Sequence, residues 1–115
     1  MGEITIFEKI LKKEIPATVV FENQQVLAIK DINPQASIHI VFIHKQKTKD
    51  IGEMCTTQPQ HISDIFAAIN MFVKMQGLEN TGYRIVTNKG EDGGQTVFYT
   101  HFHLLAGEKL GHFGS

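Results

Sequence analysis

A single cysteine, Cys55, in 115 residues rules out an internal disulfide and suits a reducing compartment. The chain has no tryptophan, and no apolar run approaches the roughly 20 residues that span a bilayer as a helix. Charge of one sign is lacking too. A formal balance of −1 gives no electrostatic basis for binding DNA, RNA or an acidic membrane surface. The first residues open an amphipathic helix and not a secretory signal. Met1-Gly2 is followed at position six by Ile6, where a myristoylation signal carries Ser or Thr. These absences predict a soluble, cytoplasmic protein with neither nucleic acid nor membrane as a partner. The length allows one domain, 1–115, around one core.

Periodicity supplies the elements. Thr5 and Glu8 have capping-box spacing, and Ile6, Phe7, Ile10 and Leu11 form the apolar stripe of a short helix that Pro16 ends. Two strands, Thr18 to Phe21 and Val26 to Lys30, are joined by a hairpin-length connection. Asp31 then precedes an Asn33-Pro34 turn. Ser37 to Ile43 reads as a third strand with His39, Val41 and Ile43 on one face. Lys45, Lys47, Lys49 and Asp50 read as a solvated connection.

A second helix starts at Thr57-Gln58-Pro59, with Ile62, Ile65, Phe66, Ile69, Phe72 and Val73 as its core stripe, and Gly77 closes it. Ala67, Met71, Met75 and Leu78 make another apolar stripe beside the first. Such a helix needs cover on two sides, which predicts a homodimer; the alternative is that the methionines fill core gaps. Tyr83 to Thr87 is the fourth strand and the run around His101 the fifth. The expected class is α+β, a five-stranded, mostly antiparallel sheet with two helices.

The chemistry gathers at the end of the chain. In Tyr99-Thr100-His101-Phe102-His103-Leu104-Leu105, strand alternation puts Tyr99, His101 and His103 on one face and Phe98, Thr100, Phe102 and Leu104 on the other. Upstream, Asn88-Lys89-Gly90-Glu91-Asp92-Gly93-Gly94 is a loop able to adopt positive φ and to turn backbone N–H groups toward an anion. It leads straight into two groups that titrate near neutral pH.

These residues resemble the histidine triad (HIT) family, nucleotide hydrolases and transferases whose motif alternates three histidines with apolar residues. The first of the three is a tyrosine here, Tyr99. Thr5 to Ile10, Lys13 to Ala17, Asp31 to Ala36, His39 and Gly82 to Asn88 are similar to the Hint branch, the histidine-triad nucleotide-binding proteins. The resemblance implies a dimerising HIT-like fold, a purine nucleotide ligand and no cofactor or metal. It implies that His101 is the nucleophile, that His103 contacts the phosphate region and that His39 stands beside the motif. Asn88, Gly94, Gln95 and Thr96 would hold phosphate. Asp31 would accept from the ribose hydroxyls, with Ile32 next to it, and Ile6, Phe7 and Ile10 would wall a base pocket. On its own, an Asp before a turn reads as a turn-former, and a lone strand His as a satisfied core residue.

Three readings follow. The first is hydrolysis of AMP (purine nucleoside) phosphoramidates or related nucleotidyl conjugates through a nucleotidyl-histidine. The second is a regulatory nucleotide-binding module with vestigial turnover. The third is a metal site on His39, His101 and His103. A phenol with a pKa near ~10 cannot replace an imidazole's proton chemistry at neutral pH, so Tyr99 predicts slow turnover that Tyr99→His would raise. His44 stands where the Hint branch usually has proline. The Hint branch also ends in a tryptophan-containing segment, whereas this tail offers only Phe113, which predicts weaker leaving-group selectivity.

Overall fold

The computed structural model describes residues 3–113. The Met1-Gly2 start and the last two tail residues lie outside the described part. The five strands are β1 (Val19–Glu22), β2 (Val26–Lys30), β3 (Ile38–His44), β4 (Arg84–Val86) and β5 (His101–Ala106). They form one sheet in the order β1-β2-β3-β5-β4, antiparallel at every pairing. The expected sheet is therefore present.

Alternation along β3 and β5 divides the sheet into two faces. One buries Ile40, Phe42, Phe102 and Leu104 against Ile65, Ile69, Phe72 and Val73 of a long helix. The other gathers Leu27, Ile29, Val41, Ile43 and Tyr99 beneath Phe7. Burying a residue such as Phe42 contributes about 1.5–3 kcal/mol, so the helical face supplies most of the stability. The opposite face is left for chemistry.

Helix α1 (Ile6–Leu11) carries the full capping box: the Glu8 N–H donates to Thr5 Oγ1 at 3.4 Å and the Thr5 N–H to Glu8 Oε1 at 2.7 Å. It stops well before Pro16, contrary to expectation. Lys13, at φ 62°, takes the left-handed position just past the end, and the Glu14 N–H closes on the Lys9 carbonyl at 2.8 Å.

The connection after β3 is also not the solvated segment expected. Thr48 and Asp50 are buried, and Asp50 N-caps an additional helix, α2 (Ile51–Thr57), by accepting from the Glu53 N–H at 2.9 Å. Among the described residues there are three helices, where two were expected.

The long helix α3 (Pro59–Met75) starts where Pro59 predicts. It ends in a Schellman motif, with Gly77 at φ 67° and the Leu78 N–H bonded to the Val73 carbonyl at 3.0 Å. Its stripes differ in part from expectation. Phe66 is exposed, while His61, Ala68 and Leu78 are buried; Met71 and Met75 are 52% and 65% exposed. Among the described residues, no helix is long and apolar enough to cross a membrane.

Candidate active site

The two motif histidines emerge from β5 on the face covered by α1, but Tyr99 lies ahead of the strand, whose ladder begins at the Ile43–His101 pair. His101 is buried. Its Nδ1 lies 2.6 Å from the Tyr99 carbonyl, and a carbonyl only accepts, so Nδ1 carries the proton and Nε2 keeps its lone pair.

A second chain of bonds fixes His103. The Gln35 N–H donates to His39 Nδ1 at 3.0 Å, leaving His39 Nε2–H to donate to His103 Nδ1 at 2.9 Å. His103 therefore holds its own proton on Nε2. The His101 and His103 rings stand 5.0 Å apart between centroids. The site thus combines a free imidazole lone pair with a neutral N–H donor.

Electrostatics keep all three rings neutral. Burial pushes His101 below the ordinary histidine value, against opposition from the Tyr99 carbonyl and Asp31. Burial, then repulsion from His101 and His39, pushes His103 down to about 4. His39 is also lowered by burial, with Asp31 opposing.

A cleft of about 230 Å³ opens over the His101 and His103 rings, lined by Ile6, Phe7, Ile10, Asp31, Ile32, Thr96, His101 and His103, while His39 stands outside it. Eight of the twelve residues proposed from sequence meet there. Ile32 stands at 93% exposure. Asp31 forms the turn expected of it, with Oδ1 accepting from the Asn33 N–H at 2.8 Å, while Oδ2 lies 3.4 Å from His39 Nε2. Ile29, Lys30, Val41 and Val97 complete the wall. Val41 was signalled by alternation from His39, whereas Val97 sits in irregular backbone where no period applies. A larger groove of about 600 Å³, between Tyr83 and Leu110 at the β4 edge, contains none of the histidines.

The loop residues proposed for phosphate divide into two groups. Neither the Thr96 N–H nor its hydroxyl has a partner among the described residues. Asn88 Nδ2, by contrast, donates to the Gly93 carbonyl at 2.7 Å, and the Gly94 N–H to the Glu91 carbonyl at 3.0 Å. Gln95 requires a correction, because its side chain is buried inside the loop. Its Oε1 accepts from the Gly90 N–H at 2.8 Å, and its Nε2 donates to the carbonyls of Lys49 at 2.9 Å and Val97 at 3.1 Å. Its role is to hold the loop. Lys89 straps the same loop to α2 through Asp50, at 3.2 Å. Gly93 has no room for a side chain, since a Cβ there would lie 2.3 Å from the Lys89 carbonyl oxygen.

Two further expectations change. The proposed metal set of His39, His101 and His103 does not converge: the donor atoms that gather within 4.8 Å belong to Asp31, His39 and His103, and His39 is already hydrogen-bonded to His103. Tyr99, expected on the face that reads as chemical, packs beneath that face with Phe7, Val41 and Ile43 and does not line the cleft. It is 1% exposed, its phenol donates to the His44 carbonyl, and burial raises its pKa, so it stays neutral.

Paired histidines on an inner strand of a five-stranded antiparallel sheet, beside a glycine-rich loop, define a histidine-triad type of protein. The chain belongs to the HIT domain family, whose pattern matches residues 12–110. It is 34% identical over 111 residues to the purine nucleoside phosphoramidase of Escherichia coli K12, covering 96% of this chain and 93% of that protein. The fold matches a HIT family hydrolase from Clostridium thermocellum at TM-score 0.89 and 40% identity, over 96% of each chain. A histidine triad protein from Clostridium difficile superposes at TM-score 0.91 with 38% identity, over 98% of this chain and 99% of that one.

Proposed function

We propose that the protein hydrolyses AMP, or more broadly purine nucleoside, phosphoramidates and related nucleotidyl conjugates through a nucleotidyl-histidine intermediate on His101. The observation that carries this reading is the pair of fixed tautomers: a lone pair on His101 Nε2 beside an N–H on His103 Nε2. In the first step Nε2 of His101 attacks phosphorus, and the bond to the leaving amine breaks with its electron pair going to nitrogen. The proton on His103 Nε2 goes to that amine. Water then attacks phosphorus, the bond from phosphorus to His101 Nε2 breaks with its electron pair returning to that nitrogen, one proton of the water goes to His103, and AMP leaves. The unpartnered Thr96 N–H and hydroxyl suit the non-bridging oxygens, where charge builds up.

The adenosine half has its own support. Ile6, Phe7 and Ile10 offer an apolar wall, and the exposed Ile32 gains cover from a purine face. Asp31 lines the cleft, and its carboxylate can accept from ribose hydroxyls. We infer a homodimer on the side of Met71 and Met75, and a reducing cytoplasmic setting suits the exposed Cys55 thiol.

The test is turnover of an adenosine phosphoramidate by wild type and by His101→Ala. The variant is expected to lose turnover while holding AMP within about tenfold, or ~1.4 kcal/mol. Retention of more than roughly a few per cent of the wild-type rate would remove His101 as nucleophile. Wild type that binds AMP tightly without multiple turnovers would favour the regulatory module instead.

A further inference from the structure

We infer that Tyr99 is a positioning residue for His101, and that it works against an anchor behind the site made of the buried His44 and His61 and the partly exposed Asp64. This inference rests on the phosphoramidase reading above. The His101 ring is set by one bond, to the Tyr99 carbonyl at 2.6 Å. That carbonyl belongs to a residue ahead of β5, outside the ladder, so sheet pairing does not fix it. Two restraints do. Thr100 bonds its N–H to the Thr48 carbonyl at 2.8 Å, and the Tyr99 phenol donates to the His44 carbonyl.

His44 is unusually well held for the last residue of a strand. Its Nδ1 accepts from the Gln46 N–H at 3.1 Å, so Nε2 carries the proton and donates to Asp64 Oδ2 at 2.9 Å. Its ring stacks on that of His61 at 3.5 Å between centroids and 10° between planes. His61 in turn reaches Gln46 Oε1 through Nε2 at 3.2 Å. Tyr99, at the first motif position, and His44, where the Hint branch usually has proline, are thus bonded to each other. A phenol reaches across the buried face to a fixed carbonyl, and its own peptide then orients the nucleophile. On this proposal Tyr99 is fitted to the site, the opposite of the slow turnover that the sequence predicts.

The decisive variant is Tyr99→Phe, which keeps the ring packed edge-on to Phe7 and removes only the hydroxyl. With an adenosine phosphoramidate, kcat is expected to fall about tenfold while KM stays within about twofold. Nitrogen-15 imidazole NMR of the unliganded protein should show His101 as the single Nδ1–H tautomer in wild type and as a mixture in Tyr99→Phe. Asp64→Ala, on the far helix, should lower kcat about threefold and add little in the double variant, because both act through His44. A merely structural tyrosine would lower the melting temperature and leave kcat and the tautomer unchanged, which would overturn the proposal. So would a gain in kcat for Tyr99→His. If Tyr99→Phe fails to fold, Asp64→Ala alone decides through the same two readouts. Absence of wild-type turnover would count against the phosphoramidase reading, while the tautomer signal would still report on Tyr99.

Discussion

His39 and His103, on adjacent strands, are joined by a hydrogen bond of 2.9 Å from Nε2 to Nδ1, and this bond decides where His103 keeps its proton. The Gln35 N–H occupies the other nitrogen of His39. A backbone amide at a turn therefore sets, through two rings, which atom of His103 faces the cleft.

The first prediction concerns pH. Folding holds His101, His103 and His39 below the ordinary value of about 6.5, His103 at about 4. The unfolded chain then takes up protons first as pH falls. The stability these rings permit is complete above about pH 6.5 and is lost between there and pH 4. At pH 5 the loss from His103 is on the order of 1–2 kcal/mol. Urea melts at pH 7 and pH 5 should show it, and His103→Gln should flatten the difference. The acid limb of kcat/KM should also fall below pH 6.5, since His101 attacks only when neutral. A limb centred above 6.5 would contradict the burial of this site.

Gln95→Ala should damage both stability and rate. The substitution leaves the Gly90 N–H and the Lys49 and Val97 carbonyls without their partner. The expected cost is about 2–3 kcal/mol, seen as a lower melting temperature. KM for an adenosine phosphoramidate should rise as the loop loses its shape. Gln95→Glu should recover little, because a carboxylate cannot donate to the two carbonyls. If either variant melts like wild type, the loop is held by the Lys89–Asp50 strap instead.

Much of this site was legible in the sequence, and the reason is period two. His39 and Val41 on β3, and His101 and His103 on β5, fall on one face by counting alone. What could not be read depends on distant partners. Asp50 follows a lysine-rich stretch and looks solvated until Lys89 and α2 bury it. The spacing of Asp50 and Glu53 was a capping signal that went unused. Gln95 was a phosphate ligand by resemblance, yet its amide is taken up by the Gly90 N–H and the Lys49 and Val97 carbonyls. His44 had no local meaning at all, since His61 and Asp64 reach it from the distant helix α3.

Lys13→Gly should stabilise the protein. Lys13 holds φ at 62° in the left-handed region, where a side chain is strained and glycine is not. Relief of that strain, less the extra entropy of glycine when unfolded, leaves about 0.5–1 kcal/mol. The melting temperature should rise by a few degrees (~2–5 °C). A drop would show that the Lys13 side chain has a role beyond closing α1.

The final prediction concerns assembly. Met71 and Met75 present exposed thioethers one helical turn apart on α3, and Phe66 is 43% exposed on the same helix, edge-on to Phe102. The short strand β4 leaves one edge of the sheet open beside Tyr83, itself 41% exposed. Flexible methionines and aromatic rings suit a surface that a second copy covers. Met71→Glu should place an unpaired carboxylate in that interface, at a cost of several kcal/mol, on the order of 3 or more. Sedimentation at micromolar concentration should then give a dimer for wild type and a monomer for the variant. Because Met71 lies on the helical side of the sheet and the histidines on the other, the monomeric variant should still bind AMP. A wild-type monomer, or a Met71→Glu dimer as tight as wild type, would move the interface elsewhere.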